Sequence, residues 1–387
     1  MRNRVVGAVA LAIAMSSAAD AATLIYAGRV IDGVANQPMS ERTIVVDGER
    51  IVAIESGYRA PSVDDRVIDL KNSTLMPGLM DMHVHITSEY SRTAELDRFK
   101  KDGPDVALDG AMFAERTLQA GFTTVRDLGD GFRASIALRN AINAGKLAGP
   151  RIFAAGKSIA TTGGHADPTN GWADHLGGAN VGPLDGVVNG EEQAAQAVRQ
   201  RYKEGSDLIK ITATGGVLSV AKNGLNPQFT EEEIRSVVLT ARDYGFKVAA
   251  HAHGASGIKD AIRAGIDTIE HASLIDDEGI ELAKKYGTWL SMDIYNTEYT
   301  QSEGKKNGVL EDNLRKDREV ADMQREGFSK AHKAGVGMVY ATDSGVYPHG
   351  DNARQFQWMV RYGMTPAQAI QSATYNASRA LARNDVG

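Results

Sequence analysis

"YGFKVAAHAHG" (residues 244–254) holds the unit from which the fold is read. A helix-patterned stretch, "TEEEIRSVVLTARDYG" (230–245), leads into it, with Thr230 and Glu233 at capping-box spacing. Gly245 then supplies the residue type that ends helices, because it takes the left-handed turn without a Cβ penalty. The run "VAAHA" is short and apolar, as a parallel strand buried on both faces must be. His251 and His253 close it, two residues apart and therefore on one face of an extended chain.

The phrase helix, glycine, buried strand recurs in "AGFTTVRDLG" (120–129), "EGSDLIKITATGG" (204–216), "AGIDTIEHAS" (264–273), "YGTWLSMDIY" (286–295) and "AGVGMVYATDSG" (334–345). With "LMDMHVHI" (79–86) and "RIFAAG" (151–156), eight strands are expected. An α/β chain with eight such units predicts a (β/α)8 TIM barrel over residues 77–387. A doubly wound open sheet is the alternative, but no G-x-G-x-x-G fingerprint supports it. Residues 22–76 read differently, as a small antiparallel β unit with a hairpin at Asp47-Gly48 in "VVDGERIVAI". The Pro77-Gly78 break marks the handover to the barrel.

The chain has 387 residues, a net charge of −6 and 42% hydrophobic residues, an ordinary globular composition. The absence of a basic run argues against a nucleic-acid partner. There is no cysteine, so a metal site would have to use histidine and carboxylate. At the N-terminus, basic "MRNR", apolar "VVGAVALAIAM" and small-residue "SSAADAA" predict a signal peptide, residues 1–21, cut after Ala21. The expected location is periplasmic or secreted. The apolar run is too short to span a bilayer, so no membrane association is expected of the mature form.

In a barrel, the C-terminal ends of the strands converge on one face, where catalysis is found. The polar residues at those ends are His83 and His85 on strand 1, Lys210 on strand 4, His251 and His253 on strand 5, His271 on strand 6 and Asp343 on strand 8. Each alone has a structural reading: a satisfied histidine, a salt-bridged lysine, a turn aspartate. Together on one face they form an N/O donor set suited to Zn2+ or a similar divalent ion. Lys210 is the odd member, since a neutral amine is a poor ligand. As a carbamate formed with CO2 it would offer two oxygens to bridge two cations. The loop 157–190, rich in Gly, Asn, Asp and Thr, would overhang this face and carries His165. Arg126 and Asp127 at the end of strand 2 read as supporting or structural residues.

These residues closely resemble the amidohydrolase superfamily, binuclear subtype. "PGLMDMHVH", "GFTTVRDLG", "KITATGG", "VAAHAHG", "GIDTIEHAS" and "ATDSG" are similar to its imidazolonepropionase-related branch, which includes Xaa-Pro dipeptidases, N-acyl amino acid carboxypeptidases and ochratoxin-hydrolysing amidases. The resemblance covers residues 23–383. It implies two divalent metal ions, with His83, His85 and Asp343 on one, His251 and His271 on the other, and N6-carboxylysine at Lys210 bridging both. It further implies hydrolysis by a metal-bridging hydroxide, with Asp343 moving the proton and His253 beside the site in contact with substrate; His165 reads equally as a second substrate contact or as a plain loop histidine. The expected substrate is a small N-acyl amino acid or dipeptide. The aromatic loop "WLSMDIYNTEY" (289–299) makes an ochratoxin-type aromatic amide one case. Homo-oligomers are expected by the same resemblance. So is a small β-sandwich appendage, here built from N-terminal strands, since the usual C-terminal strands are absent from this sequence. Two other readings stand beside it: a hydrolase or deaminase of a cyclic amide, and a catalytically inactive barrel acting as a binding protein. Deamination is disfavoured, because "HAHG" lacks the glutamate that deaminases carry near the strand-5 histidine.

Overall fold

The computed structural model describes residues 21–176, 181–219, 224–383 and 385–386. The expected signal peptide lies, apart from Ala21, outside the described residues. Two compact units divide between Met76 and Pro77.

The first unit is one sheet of four strands, β1 (Thr23–Val30), β2 (Met39–Asp47), β3 (Arg50–Ser56) and β4 (Arg66–Leu75), in the order β3-β2-β1-β4. The hairpin at Asp47-Gly48 forms as expected, with Gly48 at φ 55°. The sheet is nevertheless mixed, not antiparallel, because β4 runs parallel to β1. The reason is topological: β2 occupies one edge of β1, β3 folds back on the far side of β2, and the connection 57–65 carries the chain across to the remaining edge. The described residues of this unit make a single layer, and β3 leaves Ile51, Val52 and Ile54 exposed.

The second unit contains β5 (Leu79–Val84), β6 (Phe122–Asp127), β7 (Arg151–Ala154), β8 (Ala160–Thr161), β9 (Val187–Val188), β10 (Ile209–Thr212), β11 (Val248–Ala252), β12 (Thr268–His271), β13 (Trp289–Ser291) and β14 (Met338–Val339). Parallel pairing joins β5-β6-β7 and β10-β11-β12-β13-β14. Backbone hydrogen bonds close the ring. Asp207 N donates to Ala154 O at 2.8 Å, linking β7 towards β10, and Met82 N donates to Tyr340 O at 2.9 Å, linking β5 to the end of β14. The result is an eight-stranded (β/α)8 barrel whose strands coincide with the expected segments. β8 and β9 are additional, a short parallel pair inside the 157–190 loop.

Local chemistry explains the elements. Every residue of β10, β11 and β12 is buried, as the apolar runs require. The helix Glu231–Asp243 starts with the expected reciprocal cap: Thr230 Oγ1 accepts from Glu233 N and Glu233 Oε2 accepts from Thr230 N. Gly265 ends the helix Ala255–Ala264 in the left-handed conformation, φ 98°, and hands the chain to β12. A large apolar cluster of strand and helix residues, including Ile209, Ile211, Val248, Ile258, Ile269 and Leu290, fills the space between barrel and helices. Among the described residues no helix is long and apolar enough to cross a membrane.

Candidate metal centre

The expected residues converge at the C-terminal ends of the strands around one cavity of 430 Å³, which His83, His85, His165, Lys210, His251, His253, His271 and Asp343 all line. Three groups have ligand atoms within 4.8 Å of one another: His83, His85 and Asp343; His251, His253 and His271; and His271, Asp293 and Asp343. Asp343 Oδ1 stands 3.3 Å from both His83 Nε2 and His85 Nε2. The rings of His83 and His271 lie 5.0 Å apart, so the first two groups adjoin. Lys210, 4% exposed, projects from β10 into the same space.

Four of the site histidines, His85, His251, His253 and His271, are oriented by a hydrogen bond at one ring nitrogen. His85 Nδ1 is 3.1 Å from Gly129 O and His251 Nε2 is 2.9 Å from Gly215 O. A carbonyl only accepts, so these nitrogens donate, leaving His85 Nε2 and His251 Nδ1 with free lone pairs. His271 Nδ1 donates to Asp293 Oδ1 at 2.9 Å, which frees Nε2. Asp293 is held in turn by Gln324 Nε2 at 3.1 Å, and Asn296 Nδ2 ties Asp293 Oδ2 to Asp343 Oδ2 at 3.1 Å each. His253 Nδ1 pairs with Ser273 Oγ at 2.7 Å. Neutral imidazoles with one committed and one free nitrogen, beside a carboxylate, are the donor set that a divalent transition metal takes. The residues therefore fit the ions that the donor pattern implied.

Electrostatics divide the histidines: burial pushes His85 and His271 down, but Asp343 beside the first and Asp293 beside the second more than reverse that and raise both, while the others stay low. Burial, with Lys210 nearby, drives His83 down to about 4, so it stays neutral. Burial and neighbouring imidazoles also push His251 and His253 well below the usual range. Burial pushes Asp343 up, but His83 and His85 more than reverse that and hold it far below the usual carboxylate range. Burial lowers Lys210 to about 8, against the pull of Glu270 and Asp343. The backbone is strained where the candidate ligands sit: His271, Ala272 and Asp343 have φ of 68°, 48° and 56°. Such left-handed non-glycine residues cost of order 1–3 kcal/mol each and persist where surroundings over-determine them.

His165 reaches the site from the 157–190 loop and stacks on His251 with ring centroids 4.3 Å apart. Gly216 makes room, since a Cβ there would lie 2.2 Å from the His165 ring. Arg126 and Asp127 do not pair with each other. Arg126 crosses the barrel interior to Glu270, Nη2 to Oε1 at 2.8 Å, while Asp127 Oδ1 accepts from Ile86 N at 2.8 Å and steadies the segment after His85. Sequence reading passed over Glu270 and Asp293. Both were visible by the logic that found Lys210: a charged residue inside the apolar strand "TIEH", and another just past "WLS".

Residues 74–387 match the amidohydrolase family. Ochratoxinase of Aspergillus niger is 32% identical over 373 residues, covering 92% of this chain and 75% of that protein. Its crystal structure superposes with a TM-score of 0.81 at 30% identity, covering 93% of this chain and 84% of that one. A crystal structure of a Xaa-Pro dipeptidase with bound methionine in the active site is 48% identical, with a TM-score of 0.90 over 94% of this chain and 90% of that chain. A family match that spans the whole barrel, together with these likenesses, means that the chain belongs to the amidohydrolase family and is a hydrolase of amide or peptide C–N bonds.

Proposed function

We propose that the chain is a binuclear metal-dependent amidohydrolase that cleaves the amide bond of a small N-acyl amino acid or dipeptide. The observation that carries this is the pair of adjoining donor groups, His83–His85–Asp343 and His251–His253–His271, facing one cavity with Lys210. The volume of 430 Å³ suits a ligand of dipeptide size. The likenesses to an ochratoxinase and a Xaa-Pro dipeptidase point to the same bond type.

In this reading His83, His85 and Asp343 would hold one ion and His251 and His271 the second, and Lys210, as N6-carboxylysine, would offer its carbamate oxygens to both. Divalent cations, most simply Zn2+, supply a Lewis acid for the amide carbonyl and lower the pKa of water to about 7. Asp343, kept ionised by its neighbours, takes the proton of the attacking water and returns it to the leaving amine. His253, fixed by Ser273, and His165, stacked over His251, contact the oxyanion or the substrate carboxylate. The mature enzyme acts outside the cytoplasm, as a homo-oligomer.

The test is metal content by mass spectrometry and a screen of N-acyl amino acids and dipeptides, including aromatic amides, against zinc-loaded enzyme with amine release as the signal. Two ions per chain and turnover of one of these amides are expected. No turnover of any linear amide would overturn the substrate class and favour a cyclic amide.

A further inference from the structure

Glu270 and Arg126 are buried ions that the proposed chemistry leaves unused, at 0% and 3% exposure inside the barrel. Thr268 and Glu270 share one face of β12, two residues apart. Arg126 reaches both from β6: Nη1 donates to Thr268 Oγ1 at 3.0 Å, Nη2 to Glu270 Oε1 at 2.8 Å, and Nε to Met82 O on β5 at 2.6 Å. Thr268 Oγ1 also donates to Glu270 Oε1 at 2.5 Å. One oxygen of Glu270 is thus fully engaged. The other, Oε2, stands 3.3 Å from His83 Nδ1, and neither atom has a hydrogen-bond partner within ideal geometry among the described residues.

We propose that Glu270, anchored by Arg126, is a positioning residue that sets the tautomer of His83. The inference rests on His83 being a metal ligand. A carboxylate oxygen only accepts, and both nitrogens of His83 face one at 3.3 Å; Asp343 Oδ1 is shared with His85 Nε2 and is a fellow ligand in the proposed reading, so the proton belongs on Nδ1, opposite Glu270 Oε2. With the proton on Nδ1, the lone pair of His83 lies on Nε2, the nitrogen that faces Asp343 Oδ1 at 3.3 Å. His85, His251 and His271 are set by Gly129 O, Gly215 O and Asp293, and Glu270 does the same for His83 from below. A carboxylate in this place also raises the basicity of the ligand. Arg126 makes the device tolerable in the interior, since an unpaired carboxylate there would be costly. Arg126 also fixes which oxygen faces His83: a guanidinium only donates, so it holds Oε1 and leaves Oε2 for the ring.

This leads to a non-additive outcome. In Glu270→Gln the amide must turn its carbonyl to Arg126 and Thr268, so its NH2 donates to His83 Nδ1 and the proton moves to Nε2. Zinc affinity, measured by chelator competition, should fall about 10–100-fold for one of the two ions. Adding Arg126→Met releases the amide to turn its carbonyl to His83. Arg126→Met/Glu270→Gln should therefore recover most of that loss, whereas a merely structural role predicts that two lesions are worse than one. Circular dichroism of the zinc-free proteins checks that each variant is folded. Should Glu270→Gln fail to fold, 15N NMR of the His83 ring in zinc-free Asp343→Ala, where the Asp343 carboxylate no longer faces Nε2, assigned by adding His83→Gln, reads the tautomer directly, and the Nδ1–H form is expected. Wild-type zinc affinity in folded Glu270→Gln, or the Nε2–H form in zinc-free Asp343→Ala, would overturn the inference. His83→Ala separates the two levels: unchanged zinc binding there overturns the ligand reading itself, while a loss there beside an unaffected Glu270→Gln overturns only the role of Glu270.

Discussion

His349 should make the barrel acid-labile over a defined window. It lies 3% exposed, with its ring stacked on Phe113 at 4.9 Å. Its Nε2 sits 2.9 Å from Ser88 O and 3.2 Å from His85 O, so it clasps the segment that carries a proposed metal ligand. Two carbonyls fix the proton on Nε2, and Nδ1 faces Ser344 Oγ at 3.2 Å. Charging this ring in an apolar setting is unfavourable, and burial lowers its pKa from 6.5 to about 4. Because the folded value lies below the unfolded one, the unfolded chain binds the extra proton first, and stability rises with pH through that interval. The contribution is fully present above pH 6.5 and is lost as pH falls to about 4. At 1.36 kcal/mol per pH unit the whole interval amounts to roughly 3 kcal/mol, and acidification to pH 5 forfeits about 2 of it. His349→Gln keeps a donor for Ser88 O but loses the stacked ring, a loss of about 1–2 kcal/mol at pH 7. The variant should therefore be less stable than wild type at pH 7 and at least its equal near pH 5. Urea unfolding of zinc-stripped proteins between pH 7 and 4.5 measures this, with metal-linked proton release removed from both. A stability difference that stays constant across that range would refute the reasoning.

Other expectations concern the site and the packing that holds it. Asp343→Asn should still bind metal but lose about 10²–10⁴ in kcat, and near-native turnover would remove Asp343 from proton transfer. Lys210→Met should hold fewer than two ions per chain by mass spectrometry, and a full complement would refute the bridging role. At Gly254, between β11 and the next helix, an added Cβ would lie 1.9 Å from Leu225 O. Gly254→Ala should thus destabilise by about 1–3 kcal/mol or more, and an unchanged thermal midpoint would show that the two segments separate freely.

The barrel was legible because its parallel strands must be buried on both faces and its helices must stop before them. Those two demands leave the apolar run and the glycine, as in "YGFKVAAHAHG". The direction of β4 was not legible. Parallel and antiparallel neighbours of β1 bury similar residues, and only the path of 57–65 decides between them. The short pair β8 and β9 was hidden for a related reason, since strands of two residues are too brief to show a period.

At the site, what could be read was which polar side chains gather, and what could not was their orientation. His83, His85, Lys210, His251, His271 and Asp343 announce themselves because their side chains are chemically unlike their apolar neighbours. Whether an imidazole offers Nδ1 or Nε2 is set by what stands behind it. For His85 and His251 that is the backbone carbonyl of Gly129 or Gly215. Any residue type carries such an oxygen, so no pattern of letters records it. Glu270 and Asp293 differ because there the orienting group is a side chain. They mark where composition could have gone one step further: an acid next to a strand-end histidine, or at the end of the neighbouring strand, is placed to fix a tautomer as well as to hold a metal. The sequence test that follows for any such barrel is to look behind each strand-end histidine for an acid within an apolar strand, before assigning that acid to the metal.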